Sequence, residues 1–188
     1  MSLEFNRRSF LKYSAAAAVA VAGSSLLTGC GEDEYQKTGK IGSTLKLMGT
    51  FKMYDGADAP TFTLDSGSTD TGTFTCKLKL KCTTDKVPLA VTADKFLLTV
   101  NPGKNEDNYY GNTYVTVERE DPKFTVDDGE RDFTITVKNV KLANDNKVEF
   151  IYFPRIQASS GNSGYTRAFC TWKMTAKADA TTGTITLE

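Results

Sequence analysis

Three clusters of acidic and amide side chains could ligate a hard cation. They are Asn105-Glu106-Asp107-Asn108, Asp127-Asp128-Gly129-Glu130 and Asn144-Asp145-Asn146. None of them follows the Asp-x-Asp-x-Asp-Gly pattern with a distal Glu that forms an EF-hand loop. Asp and Asn also favour turns, because their side chains bond to the nearby backbone. We therefore interpret the clusters as solvated turns and predict no metal site and no cofactor, while calcium binding by one of the loops stays open.

Histidine is absent from all 188 residues. This excludes His-based zinc sites and the Ser-His-Asp and Cys-His nucleophilic systems. Paired carboxylates could still hydrolyse a glycosidic bond. A small envelope hydrolase, or a cofactor-dependent subunit of an exported enzyme, is thus the alternative function. Because the acidic residues cluster in turns, we predict that the protein is not an enzyme.

The cysteines are Cys30, Cys76, Cys82 and Cys170. Cys76 and Cys82 lie six residues apart in one predicted strand, which separates them by roughly 20 Å at about 3.3 Å per residue. A disulfide needs Cα atoms within about 7 Å, so any bridge among the last three must join Cys170 to Cys76 or Cys82. Buried reduced thiols are the favoured interpretation, since buried cysteines usually act as small hydrophobic residues.

Aromatic and basic side chains offer candidate binding surfaces. Tyr109 and Tyr110 lie in a polar loop, Gly103 to Asn112, and form a possible binding loop for a sugar or a partner protein. Lys77, Lys79 and Lys81 alternate along one strand and could face an anionic polymer. Packing of the tyrosines and simple solubility of the lysines are the alternatives.

The N-terminal segment has the features of an export signal. Arg7 and Arg8 are followed by Phe10, Leu11 and Lys12 and then by an Ala-rich run that ends at residue 27. The run is too short to span a bilayer, which takes about 20 apolar residues. The pattern resembles the twin-arginine export signal. The resemblance implies a passenger that crosses the membrane already folded.

The sequence Leu27-Thr28-Gly29-Cys30 resembles the bacterial lipobox. The resemblance implies cleavage before Cys30 and a diacylglyceryl group on its sulfur, which would anchor the chain on the extracytoplasmic side of the cell membrane. We predict a signal peptide over 1–29, a flexible tether over 30–42 and one domain over 43–188. The membrane, through this anchor, is the first predicted partner.

Charge argues against a nucleic-acid partner. The whole chain has 23 basic and 23 acidic residues, and removal of 1–29 leaves 20 basic and 22 acidic ones. A net charge of −2 provides no basic surface for phosphates. The sequence does not indicate an oligomeric state.

Alternation of apolar and polar residues dominates the segment after residue 43. It is clearest from Phe74 to Cys82. Shorter alternating runs lie near residues 45–53, 61–64, 96–100, 113–117, 133–137, 148–153, 168–176 and 184–187, with turn sequences between them. We predict an all-β fold, a single antiparallel immunoglobulin-like β-sandwich of about eight or nine strands.

The run from Leu78 to Leu89, followed by Phe96-Leu97-Leu98, resembles the telokin-like, immunoglobulin-fold domain of bacterial surface lipoproteins. The likeness extends loosely over Thr73 to Met174 and brings no catalytic residue. Together these features predict a lipid-anchored module of the cell envelope that binds an envelope protein or glycan without catalysis.

Overall fold

The computed structural model describes residues 35–103, 108–154, 168–179 and 182–188. Within these ranges all regular structure is β-strand, apart from short 3-10 turns. In chain order the strands are β1 Gln36–Lys40, β2 Thr44–Lys46, β3 Gly49–Met53, β4 Thr61–Leu64, β5 Thr71–Cys82, β6 Leu89–Val91, β7 Phe96–Val100, β8 Tyr109–Gly111, β9 Val115–Val117, β10 Asp121–Phe124, β11 Glu130–Lys141, β12 Lys147–Tyr152, β13 Phe169–Ala178 and β14 Ile185–Leu187. The predicted all-β fold class is confirmed.

The strands form two six-stranded sheets and one small ribbon. The first sheet has the order β1-β13-β12-β7-β8, with β14 also paired to β13. The second sheet has the order β2-β3-β5-β11-β9, with β4 also paired to β5. The ribbon pairs β6 with β10. The β1–β13 pair is parallel, whereas the other pairs of the described chain are antiparallel.

Aromatic side chains fill the space between the two sheets. Phe51 of the second sheet meets Tyr152 of the first edge to face, with ring centroids 5.3 Å apart. Phe74 and Phe150 also bridge the sheets, with tilted rings whose centroids lie 5.5 Å apart. Trp172 is fully buried between them, and its indole N–H donates to the carbonyl of Ser43 at 3.2 Å. These contacts make the fold a β-sandwich, as predicted.

The long strand β5 shows why alternation predicts so much of the fold. Its residues are alternately buried and partly exposed along nearly the whole length, with Cys76, Leu78, Leu80 and Cys82 toward the core. An antiparallel sheet that packs on one side produces this pattern. The strand β4 has the predicted bounds for the same reason. The strand β7 also has its predicted bounds, although all five of its residues are buried.

Fourteen strands are described, more than the eight or nine predicted. The predicted run over 45–53 is a hairpin of β2 and β3, and β6, β8 and β10 were not predicted. β6, β8 and β10 have only three or four residues each, too few for a visible period. The run predicted to begin at Thr113 starts at Val115, because a 3-10 turn occupies Asn112–Tyr114.

The strand β1 lies inside the segment that the sequence assigned to a flexible tether. Its residues pair in register with β13, from Gln36 opposite Phe169 to Lys40 opposite Lys173. The sequence Gln-Lys-Thr-Gly-Lys contains no large apolar residue, so backbone hydrogen bonds rather than side-chain burial hold it. The domain therefore begins by Gln36 rather than at residue 43.

Candidate functional site

The outer face of the first sheet, the side turned away from the sandwich core, carries apolar residues. Leu97, Ile151 and Phe169 form a separate cluster there and are only 3–8% exposed. Tyr109 and Phe153 pack against this outer cluster. All five residues of β7 are buried, so this part of the sheet is covered on both sides.

The predicted pair Tyr109 and Tyr110 lies on the edge strand β8, where successive side chains point to opposite faces. Tyr110 points into the core and is 5% exposed. Its hydroxyl oxygen accepts the N–H of Lys141 at 3.0 Å, and its ring meets Tyr114 edge to face. Tyr109 points outward, and its hydroxyl accepts the N–H of Gly103 at 3.4 Å. Tyr109 is thus the member of the pair that a ligand could reach.

A shallow groove of about 510 Å³ lies along the same sheet, beside the turn after β7. Lys40 of β1, Lys173 of β13 and Glu149 of β12 form a row across three neighbouring strands. The Nζ of Lys173 lies 3.6 Å from the Oε1 of Glu149. The residues that line the groove are Lys40, Asn101, Pro102, Lys147, Val148, Glu149, Lys173, Met174, Thr175 and Glu188.

The charges of this groove are mixed and only partly neutralised. Its lining contains three lysines and two glutamates. Lys147 donates from Nζ to the Thr175 hydroxyl at 3.1 Å, and Lys40 forms no ion pair with a described residue. The groove could therefore bind a ligand that carries carboxylate or phosphate groups next to an amine.

The sequence did not predict the groove, because its charged residues come from distant segments. Lys40 falls in the supposed tether, whereas Lys147 and Glu149 are separated from Lys173 by more than twenty positions. Alternation along β12 and β13 does indicate that Lys147, Glu149 and Lys173 point outward. Only the pairing of β1 with β13 brings Lys40 to the row.

The cysteines Cys76, Cys82 and Cys170 are buried free thiols in the structure, and no bridge joins Cys170 to Cys76 or Cys82. Burial raises the pKa of the Cys76 thiol well above its usual value. Burial likewise raises the pKa of Cys170 to about 12. Since the thiolate is the nucleophile and the metal ligand, these side chains act as core residues.

The acidic clusters use their oxygens within their own turns or on neighbouring strands, as in the ion pair of Asp145 with Lys177 of β13. The backbone N–H and the hydroxyl of Thr125 donate to Asp128 at 2.7 and 2.9 Å and hold the pKa of that carboxyl below its usual value. Asn146 accepts the N–H of Ala143 at 2.8 Å. Residues 105–107 lie outside the described ranges. Among the residues within them, no three Asp, Glu or Cys side chains converge on one point.

The lysine stripe lies on the outer face of the second sheet and is largely ion-paired. Lys77 lies 3.7 Å from Asp58, and Lys79 lies 3.1 Å from Glu130. Both ammonium groups also lie over the ring of Tyr54, at 5.0 and 5.7 Å from its centroid. An anionic polymer would have to compete with these partners.

Comparison with known families supplies one match. The family of twin-arginine translocation pathway signal sequences matches residues 4–24. These residues are an export signal. The match spans the predicted motif residues Arg7, Arg8, Phe10, Leu11 and Lys12. The predicted twin-arginine signal is confirmed, and it implies export across the cytoplasmic membrane to the cell envelope.

No curated protein and no solved structure matches the chain. The described residues contain no helix long and apolar enough to cross a membrane. The export motif and Cys30 both lie outside the described ranges.

Proposed function

We propose that the protein is a lipid-anchored binding module of the cell envelope that has no catalytic activity. The observation that carries the proposal is the order of three features along the chain. The export signal covers residues 4–24, the lipobox-like sequence ends at Cys30, and the first strand begins at Gln36. Cleavage before Cys30 would leave a folded domain whose first residue carries the anchor.

The groove on the first sheet is the proposed binding surface. Lys40 and Lys147 supply cationic groups for a carboxylate or phosphate, and Glu149 lies beside them for an amine. Envelope peptides and peptide-linked glycans carry such groups close together. The shallow, open form of the groove suits an extended polymer or a protein segment better than a small molecule that must be enclosed.

The telokin-like, immunoglobulin-fold assignment is part of the same proposal. Its support is the pair of packed sheets and the central position of β5 and β12 within them. In domains of this kind, the loops and outer sheet faces supply contact residues while the core remains fixed. Tyr109, near the outer cluster, would extend the contact surface beyond the groove.

Replacement of Cys30 tests the anchor. Cys30→Ala should leave a folded domain in the soluble envelope fraction and abolish incorporation of a labelled fatty acid. The variant R7K/R8K is the control for export, and it should leave the precursor in the cytoplasm. Membrane attachment that survives Cys30→Ala would refute the lipid anchor without affecting the export signal.

The binding role can be tested with soluble peptidoglycan fragments, which carry carboxylates and amines on short peptides. Calorimetry should show that K40A/K147A weakens binding about tenfold or more, since hydrogen bonds to charged groups contribute about 1.5–3 kcal/mol each. The matched control K46A/K81A removes two exposed lysines from the second sheet and should bind as the unmodified protein does. Equal affinity in both variants would exclude the groove.

A further inference from the structure

The first strand limits how far the domain can lie from its proposed anchor. Five residues, 31–35, separate Cys30 from Gln36. Even fully extended, this connection spans at most about 22 Å. Gln36 is then fixed in the parallel ladder with β13, and the carbonyl of Tyr35 accepts the N–H of Phe169 at 3.0 Å.

This ladder determines which end of the sandwich lies near Cys30. Strand pairing through β13 and β12 aligns the start of β1 with Tyr152 of β12 and Phe96 of β7, at the same end of the first sheet. The ribbon of β6 and β10 lies beyond them, because Ala90 donates its N–H to the carbonyl of Pro154. We call this the tether end. It also contains the loop 83–88 that follows β5.

The opposite end consists of the turns 65–70, 101–103 and 143–146. It is connected to the tether end by the twelve residues of β5, a length of about 40 Å at 3.3 Å per residue. Asp65, Asp70, Asn144 and Asp145 make this distal end strongly polar.

The exposed apolar residues lie at the tether end. Tyr35 and Val126 are the large hydrophobic side chains that are well exposed among the described residues, at 44% and 39%. Tyr35 directly precedes β1. Val126 follows β10, whose Phe124 pairs with Leu89 of β6 in the ribbon. Both residues therefore belong to elements of the tether end.

We propose that the tether end lies against the phospholipid surface, with Tyr35 and Val126 at the interface and the distal end directed away from it. Tyrosine is favoured at this depth because its ring is apolar and its hydroxyl is wet. The proposal rests on the lipid anchor of the proposed function. It directs the half of the groove formed by Lys40, Asn101 and Lys147 away from the bilayer.

Energy transfer from a labelled domain to a headgroup acceptor measures this orientation. The lipidated protein is reconstituted into phosphatidylcholine and phosphatidylglycerol vesicles with a single new cysteine, either Lys86→Cys at the tether end or Thr69→Cys at the distal end. Both positions are exposed, and the three native thiols of the domain are buried, so the dye reacts at the new site. Transfer should be several-fold stronger from position 86 than from position 69.

Two further variants separate tether length from apolar contact. Insertion of about ten Gly/Ser residues after residue 31 lengthens the connection to the anchor. It should reduce the difference in energy transfer between positions 86 and 69 only slightly, because Tyr35 and Val126 keep the tether end in contact with the bilayer. Combined with Y35S/V126S, the insertion should abolish the difference. Equal transfer from both labels in the uninserted protein would overturn the orientation alone. Failure of the lipidated protein to float with vesicles would overturn both the orientation and the anchor.

Discussion

The two outer faces of the sandwich differ although both belong to six-stranded sheets. On the second sheet, polar residues point outward and Lys77 and Lys79 have acidic partners in solvent. On the first sheet, Leu97, Ile151 and Phe169 point outward and are nevertheless buried. A sheet region that is covered on both faces contributes buried contacts to stability, whereas a solvent-exposed face tolerates substitution. The difference predicts that substitutions on the covered part of the first sheet cost more stability than substitutions on the lysine stripe.

The charged residues strengthen this contrast. The lysines of the second sheet are exposed and screened, so their ion pairs stabilise the fold only slightly. On the first sheet, Lys173 and Glu149 are less exposed, with side-chain exposures of 32% and 17%, and Lys40 lies beside them. The row thus contains one ion pair, and Lys40 beside it has no ion-pair partner among the described residues.

Truncation on the first sheet should have the largest effect. Ile151→Ala removes a buried side chain from the outer cluster and should lower the free energy of unfolding by about 2–5 kcal/mol. The matched change Lys81→Ala, on the exposed face of the second sheet, should stay within about 0.5 kcal/mol. Urea denaturation at neutral pH measures both. Similar values for the two variants would remove the contrast between the faces.

The stability of the fold at alkaline pH tests whether water is excluded from the core-facing side of β13, where Cys170 lies. The pKa of Cys170 is raised by burial from 9.0 to about 12, so the folded thiol stays protonated where the unfolded one ionises. The unfolded state therefore loses protons first, and stability should fall from about pH 9 to pH 12 by about 1.4 kcal/mol per pH unit from this group.

Cys170→Ala should remove the contribution of this thiol to the fall of the free energy of unfolding with pH. Chemical denaturation at several pH values measures that change. Cys76 and Tyr152, whose pKa values burial also raises, should leave a residual slope of the same sign. Alkylation of Cys170 by iodoacetamide should be very slow below pH 9 in the folded protein. Rapid alkylation there would show that water reaches the inner side of β13.

A smaller effect is expected at Thr99 on β7. Its hydroxyl is buried on the outer face of the first sheet and has no hydrogen-bond partner among the described residues. Thr99→Val removes this unsatisfied group and should raise the free energy of unfolding by about 1 kcal/mol. Thr134→Val, on the outer face of the second sheet, is the control and should change it by less than about 0.5 kcal/mol. Destabilisation by Thr99→Val would indicate a polar partner for that hydroxyl.

The sequence predicts those strands whose side chains alternate over five or more residues, because one-sided burial leaves that period. β5 and β11 are examples. It does not predict β1, since Gln36 to Lys40 join the sheet through backbone bonds and bury little. The groove depends on that pairing, so Lys40 could not be placed beside Lys173 beforehand. Tyr110 was expected in a loop, because a three-residue strand next to polar residues has no distinctive pattern.

The pairing of Gln36 with Phe169 also affects the order in which the strands form during folding. Contacts between residues so far apart in sequence form late, because a long loop must close first. The first strand after the signal therefore cannot dock until nearly the whole chain has left the ribosome. Under an export route that carries folded passengers, β1 would join its sheet only when synthesis of the domain is almost complete.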